Sequence, residues 1–153
     1  MKIVMVCLGN ICRSPLAEGI LRDKIQKKGL DWTVDSAGTG GWHAGELPDE
    51  RSIQIARQRG IDLTDQRARQ FGRADFERFD HILVMDTSNY TNVLRLAQND
   101  EHRSKVAMIL NYAYPGQDFS VPDPYYGGPD GFVEVFDLLE EACEAFLQAQ
   151  LST

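Results

Sequence analysis

The chain is predicted to fold as an α/β protein, with a four-stranded parallel sheet between two layers of helices. Short apolar runs that do not alternate with polar residues are typical of strands buried on both faces. Between them lie stretches with helical apolar spacing, and this alternation implies right-handed crossovers in an open parallel sheet. The 153 residues, 42% hydrophobic and 25% charged, are predicted to form a single domain, 1–153.

The strands are predicted from their apolar runs, at 3–6, 32–37, 81–85 and 106–110. We expect the strand order 2-1-3-4 in a three-layer α/β/α sheet of flavodoxin-like or Rossmann-like type. Ligands of such sheets bind at the carboxyl ends of the strands.

The helices are predicted at 14–28, 49–58, 75–79, 87–96 and from 132 to the C-terminal region. Gly29 and Gly60 are expected to end the first two. The segment 111–131 is rich in proline and glycine, which predicts a long loop of a kind usually kept for function.

Charge and cysteine content narrow the function classes. A formal charge of −7 and a pI near 4.9 argue against nucleic acid and anionic membranes as partners. The N-terminal apolar run is too short for a secretory or membrane-spanning segment. Three cysteines are typical of a reducing compartment, so the predicted location is cytoplasmic.

A reactive thiol is predicted where the first strand ends. Cys7 is followed by a short loop and then by a helix start at Ser14–Pro15, so backbone N–H groups and the positive helix pole should surround one point. An oxyanion would bind there, and the same field, with Arg13 close by, should favour the thiolate form of Cys7.

Three residue types fit this loop to phosphate. The planar guanidinium of Arg13 can hold two phosphate oxygens at once. Gly9 permits a tight turn and Asn10 tolerates left-handed geometry, so the backbone can curl into an anion-binding nest. A lone cysteine ending an apolar strand is usually core, and the Cys-to-Arg spacing alone is weak. The strand-loop-helix context and Ser14 make the signal strong.

The segment from Cys7 to Ser14, CLGNICRS, resembles the signature of the low-molecular-weight protein tyrosine phosphatases. The similarity spans nearly the whole chain, in family order: DSAGT at 35–39, Trp42, RARQ at 67–70, Met85-Asp86 and DPYYG at 123–127. One departure is Gln66, because many members carry histidine just before the RAR segment, and this puts loop support there in doubt.

The resemblance implies specific roles. Cys7 is the nucleophile, Arg13 the phosphate clamp and Asp123 the general acid/base. The expected phosphate-binding loop comprises Leu8, Gly9, Asn10, Ile11, Cys12 and Ser14, with Asn10, Ser14 and Ser36 as loop support. Tyrosine-phosphorylated proteins are the implied partners, a tyrosine kinase is one candidate among them, and the chain is expected to be a monomer.

An acid is needed because a thiolate cannot protonate the oxygen that leaves an aryl phosphate. Asp123 is bracketed by Pro122 and Pro124, which restrict its backbone, whereas Asp118 and Asp130 are not. For an aspartate in a proline-rich loop, the residues alone favour turn chemistry. The resemblance reverses that preference.

Other side chains receive less specific predictions. Trp42, Tyr125 and Tyr126 are candidates for the walls of a substrate cleft, with loop packing as an equal alternative for Trp42. Cys12 is close enough in sequence to form a reversible disulfide with Cys7 under peroxide. Cys143 lies on the apolar stripe of the last helix and is expected to be core.

No metal or other cofactor is expected, because His43, His81 and His102 pair with no cysteine or carboxylate at ligand spacing. Three alternative functions fit the sequence less well. Thioredoxin-coupled arsenate reductases need two further cysteines in mid-chain, which are absent between Cys12 and Cys143. Protein-arginine phosphatases typically have threonine where this loop has Ile11. A non-catalytic phosphotyrosine-binding module would not need an intact Cys7 and Asp123.

Overall fold

The structure is a computed structural model that describes residues 1–125 and 127–152, except for the side chain of Pro129. Four parallel strands form one sheet: β1 (Lys2–Cys7), β2 (Thr33–Gly38), β3 (His81–Val84) and β4 (Val106–Met108). Their order is β2-β1-β3-β4, which confirms the predicted order 2-1-3-4.

The helices are α1 (Arg13–Lys27), α2 (Glu50–Gln58), α3 (Asp75–Arg78), α4 (Thr87–Leu94), α5 (Asp100–Ser104), α6 (Leu110–Ala113) and α7 (Pro129–Leu151). They cover both faces of the sheet, as the α/β prediction requires. No described helix combines the length and the apolar character that crossing a membrane requires.

Two apolar clusters explain why β1 reads as a continuous apolar run. Ile3 and Met5 point into a cluster with α1 and α7, whereas Val4 and Val6 point into a second cluster on the opposite face. Every residue from Ile3 to Cys7 is therefore buried. The run has no polar face because the strand has no solvent face.

Several predicted bounds were wrong. The strand predicted over 106–110 ends at Met108, because Leu110 begins the short helix α6, which also shortens the predicted loop at 111–131. The helix predicted over 87–96 ends at Leu94, and the last helix begins at Pro129 rather than at residue 132. A proline suits this first helical position because its nitrogen has no hydrogen to leave unpaired.

Helix α5 was not predicted at all. It has one buried residue, His102, so it lacks an apolar stripe. The available signal was at its start, where the side chain of Asn99 caps the helix by accepting a hydrogen bond from the backbone of His102 at 2.8 Å.

Candidate active site

The loop between β1 and α1 lies at the carboxyl edge of the sheet, where ligands of open parallel sheets bind. Asn10 has a left-handed backbone (φ 56°), as predicted from its tolerance of that conformation. Its side chain is buried. Gly38, at the end of β2, allows the loop to approach closely. A Cβ there would lie 2.8 Å from the carbonyl oxygen of Leu8 and 3.1 Å from the backbone nitrogen of Asn10.

A buried hydrogen-bond chain runs from the thiol into the protein. The Sγ of Cys7 lies 3.0 Å from the Oγ of Ser14. The side-chain nitrogen of Asn10 donates to Ser14 Oγ at 2.8 Å and to Ser36 Oγ at 2.9 Å. Because a thiolate can only accept, Ser14 must donate to Cys7 when the thiol is ionised. The three residues predicted to support the loop thus lie together beside the thiol.

Asn10 is held from its other side as well. Its Oδ1 accepts a hydrogen bond from the backbone nitrogen of Arg69 at 3.0 Å. The guanidinium of Arg69 is itself fixed by ion pairs of 3.0 Å with Asp35 and Asp75. The left-handed residue of the loop is therefore held by Arg69, which is distant from it in sequence.

The guanidinium of Arg13 is buried, and two hydrogen bonds from its Nη1 orient it. Its Nη1 donates to Asp86 Oδ2 at 2.7 Å and to the carbonyl oxygen of Val121 at 3.0 Å. Asp86 follows β3, and its Oδ1 also caps α4 by accepting from the backbone of Asn89 at 2.7 Å. In the sequence, Asp86 is one residue of the Met85-Asp86 motif, and nothing there predicts its contact with Arg13.

Asp123 lies at the rim of the same site. Its Oδ2 is 3.9 Å from Arg13 Nη2, and its side chain is 45% exposed. Its Oδ1 accepts a hydrogen bond from the backbone nitrogen of Tyr125 at 3.1 Å, as an aspartate in a turn does. Asp123 therefore stabilises the turn with one oxygen and lies near Arg13 with the other. The segment is anchored by the backbone of Val121, which donates to the carbonyl oxygen of Met85 at 2.8 Å.

A cavity of about 290 Å³ opens above the loop. Cys7, Arg13 and Asp123 line it, together with Trp42 and Tyr125, two of the predicted aromatic wall residues. The third, Tyr126, lies outside the described residues.

Five further residues complete the lining of this cavity. Leu8, Gly9, Ile11 and Cys12 belong to the loop, and His43, which was not predicted to line the site, follows Trp42. The imidazole of His43 packs against the loop, since a Cβ on Gly9 would lie 3.1 Å from its ring. Among the described residues, no group of three or more His, Cys, Asp or Glu side chains could hold a metal ion.

Cys12 and Cys143 are both buried free thiols. Burial is the main cause that raises the pKa of Cys12, to about 12, and the charges of Asp49, Cys7 and Asp123 add to it. Cys12 is therefore a neutral thiol near pH 7. Cys143 is fully buried on α7, which also raises its pKa, and its prediction as a core residue is confirmed by its place in the apolar cluster.

Gln66 occupies the position where the sequence departs from the family pattern. It is buried, and its Nε2 donates to the carbonyl oxygen of Pro15 at 3.1 Å, in the first turn of α1. Its Oε1 is buried without a hydrogen-bond partner in the described parts of the chain. The amide nitrogen of Gln66 thus binds the first turn of the helix that follows the loop.

The hydrogen-bond chain ends at Glu18, a buried carboxyl group on α1. Its Oε1 accepts from Ser36 Oγ at 2.7 Å. The pKa of Glu18 is raised from its ordinary 4.5 to about 7, mainly by burial; the charge of Asp35 adds to the rise, whereas the hydrogen bond from Ser36 and the charge of Arg22 oppose it. Nothing in the sequence distinguished this glutamate, because a charged residue beside an apolar helix face is usually exposed, whereas Glu18 is buried.

Replacing Glu18 with glutamine should make stability less dependent on pH. Because the folded pKa is raised, the native state holds a proton that the unfolded chain has lost, so this group's contribution falls as pH rises from 4.5 to about 7 and is level above that. Glu18→Gln removes that loss while keeping an acceptor for Ser36.

We expect the variant to gain up to about 3 kcal/mol in unfolding free energy at about pH 8 relative to its gain at about pH 4. Urea unfolding of parent and variant at both pH values measures this difference. An equal effect of the substitution at both pH values would show that Glu18 does not titrate in this window.

Comparisons with known proteins agree with this geometry. The family model for "Low molecular weight phosphotyrosine protein phosphatase" matches residues 2–153. A Synechocystis protein whose name places it among low molecular weight protein-tyrosine-phosphatases is 48% identical over 145 residues, covering 94% of this chain and 92% of the relative.

Solved structures give the same result. The protein tyrosine phosphatase of Entamoeba histolytica with Hepes in its active site has a TM-score of 0.93 and 37% identity, covering 99% of this chain and 97% of its own. The Drosophila arginine phosphatase DARP has a TM-score of 0.91 and 36% identity, covering 98% of both chains. Since the family match extends from residue 2 to residue 153, the chain belongs to the low molecular weight phosphotyrosine protein phosphatase family.

Proposed function

We propose that this protein hydrolyses phosphotyrosine in protein substrates through a phosphocysteine intermediate, and that residues 1–153 act as one phosphatase domain. The observation that carries the proposal is the convergence of a thiol, a buried guanidinium and a carboxyl group on one cavity, from Cys7, Arg13 and Asp123. A nucleophile, an anion clamp and a proton donor are the groups that cleavage of an aryl phosphate requires.

In the first step, the thiolate of Cys7 attacks phosphorus and the bond to the tyrosine oxygen breaks. Asp123 protonates the leaving phenolate, so tyrosine departs neutral and phosphate stays on the sulfur. In the second step, the Asp123 carboxylate takes a proton from water, which attacks phosphorus and releases phosphate and the thiolate. Ser14 stabilises the thiolate by donating from 3.0 Å.

Arg13 and the loop amides bind the non-reacting phosphate oxygens throughout. Asp86 and the carbonyl oxygen of Val121 hold Nη1 of Arg13, which leaves Nη2, 3.9 Å from Asp123, directed toward the cavity. A fixed guanidinium is preorganised for the transition state because it needs no reorientation as charge develops. The loop residues Leu8, Gly9, Ile11 and Cys12 contribute mainly through their backbone.

The aromatic side chains give the cleft its preference for a substrate ring. Trp42 and Tyr125 line the cavity, and an aryl ring between them could make offset or edge contacts. We propose that Asn10, Ser14 and Ser36 act on the reaction by holding the loop and the sulfur, without touching the substrate.

The proposed activity is tested by phosphate release from a phosphotyrosine peptide in the presence of EDTA, with a phosphoarginine peptide as the competing substrate. Turnover of phosphotyrosine in EDTA, with a higher kcat/KM than for phosphoarginine, supports the proposal. The reverse preference would support the second candidate function, an arginine phosphatase. The similarity of this chain to the Drosophila arginine phosphatase is the observation that favours this candidate. Binding without any turnover would contradict both activities.

We also propose that Cys12 protects Cys7 from irreversible oxidation. Both thiols are buried and line the same cavity, and the charge of Cys7 contributes to the raised pKa of Cys12. Peroxide should convert Cys7 to a sulfenic acid, which the Cys12 thiol then captures as a disulfide with loss of water.

Activity lost to peroxide should therefore return almost fully with dithiothreitol in the parent protein. In Cys12→Ser most of it should not return, because further oxidation of Cys7 is irreversible. Cys143→Ser, a thiol change outside the cavity, is the matched control and should recover like the parent. Recovery of Cys12→Ser to the parent level would refute the protective role.

A further inference from the structure

A second cavity adjoins the active-site cleft. It has a volume of about 570 Å³, against about 290 Å³ for the cleft, and Leu8 and Trp42 line both. These two side chains are among the exposed large apolar residues of the protein, at 42% and 70% exposure. They form a shared apolar ridge, so a ligand leaving the cleft over this ridge enters the second cavity, here called the lateral groove.

The lateral groove has a firm floor. Phe71 and Val93 are buried parts of the apolar cluster on that side of the sheet. Gln70 connects its own segment to the segment at the end of β2. Its Nε2 donates to the carbonyl oxygen of Thr39 at 3.2 Å, and its backbone forms a β-bridge with Gly38.

Two glycines shape the wall of the groove. A Cβ on Gly40 would lie 1.8 Å from the indole of Trp42, and one on Gly41 would lie 2.9 Å from Oε1 of Gln70. The indole therefore lies directly against the backbone of Gly40, and a side chain at this position would displace it from the ridge between cleft and groove. The groove is a formed surface feature.

The charge of the groove differs from that of the protein. Among its described lining residues, Arg95 alone is charged, whereas the whole chain has a formal net charge of −7. Arg95 is exposed at the end of α4, where its Nη1 donates to Asn92 Oδ1 at 3.1 Å. The groove therefore combines an apolar floor with a local positive charge.

We propose that the lateral groove binds the substrate polypeptide next to the phosphotyrosine, and that Arg95 selects an acidic side chain in that flanking segment. This inference rests on the proposed phosphatase activity. The occupant must be continuous with the residue in the cleft, because Leu8 and Trp42 border both cavities. The opposite charge to Arg95 is the complementary one, so the flanking residue is glutamate or aspartate.

The test uses phosphotyrosine peptides with glutamate or lysine placed at each flanking position in turn. A protein of charge −7 should favour lysine wherever only long-range attraction acts, so a preference for glutamate at one position marks a local contact. We expect kcat/KM for the glutamate peptide to exceed that for the lysine peptide by about threefold to fivefold at that position, as for an exposed ion pair.

Arg95→Glu should invert this preference, and Arg95→Ala should reduce it to about the preference at the other positions. Arg57→Glu is the matched control: it is exposed at the end of α2, lines neither cavity and changes the net charge equally. It should keep the parent preference. A small aryl phosphate, which does not reach the groove, should be hydrolysed equally by parent, Arg95→Glu and Arg57→Glu.

The two proposals fail differently. The groove proposal is wrong if the parent hydrolyses the small aryl phosphate and the peptides but shows no glutamate preference. It is also wrong if Arg57→Glu inverts the preference as Arg95→Glu does. In both cases the phosphatase activity stands. If the parent hydrolyses neither class of substrate, the phosphatase proposal fails and takes the groove proposal with it.

Discussion

Cys7→Ser is expected to lower kcat for a phosphotyrosine peptide by at least about 10⁴-fold, because the serine hydroxyl stays protonated where the thiol can ionise. The hydroxyl would still lie beside Ser14, which is 3.0 Å from Sγ in the parent. Arg13 and the loop amides are unchanged in the variant, so it should retain affinity for inorganic phosphate. Steady-state kinetics and calorimetric titration with phosphate measure these two properties separately.

Cys12→Ser provides the matched control, since it makes the same substitution in the same cavity. Cys12 is a neutral thiol at pH 7, with its pKa raised to about 12, so the proposed reaction assigns it no nucleophilic role. We expect this variant to keep most of its activity. If Cys7→Ser remains within about tenfold of the parent while Cys12→Ser is inactive, the nucleophile has been assigned to the wrong cysteine.

Asp123→Asn is expected to lower kcat/KM for phosphotyrosine by about 10²-fold or more, because the amide cannot protonate the departing phenolate. The loss should be much smaller for an aryl phosphate whose phenol is a strong acid, since that leaving group needs no proton. The parameter kcat/KM is the informative one, because it reports the steps up to departure of the phenol. A series of aryl phosphates of graded phenol acidity measures the dependence.

Asp118→Asn is the control in the same loop. Asp118 also has a left-handed backbone (φ 53°), which asparagine tolerates, and its Oδ1 accepts a hydrogen bond from Asn111 at 2.9 Å. This substitution should leave the dependence on the leaving group unchanged. If Asp123→Asn lowers kcat/KM equally for all leaving groups, Asp123 acts on binding or loop structure and another group supplies the proton.

The fold was largely predictable because each element of the sheet carries a local signal. Every side chain of β1 after Lys2 is buried, so its apolar run is unbroken and easily recognised. Helices α5 and α6 were missed because each buries one side chain, His102 and Leu110, and a single buried residue has no period. Bounds such as the end of β4 depend on tertiary contacts that the sequence does not reveal.

The candidate site likewise has one part that the sequence predicts and another that it does not. The loop from Cys7 to Ser14 is local in sequence, so the spacing of its residues predicts a cysteine and an arginine around one anion. Asp86, which fixes Arg13, and Glu18, which ends the hydrogen-bond chain, carry no such pattern. They become visible only when the fold joins segments that are distant in sequence.

The most direct test of the central claim is to stop the reaction in acid during turnover and locate the phosphate on the protein. A peptide labelled with radioactive phosphate on its tyrosine, mixed with excess protein and quenched within one turnover, should leave the label on the protein. Mass spectrometry of the digested chain should place it on Cys7, and Cys7→Ser should carry none. Phosphate on another residue, or release from Cys7→Ser at the parent rate, would contradict the mechanism.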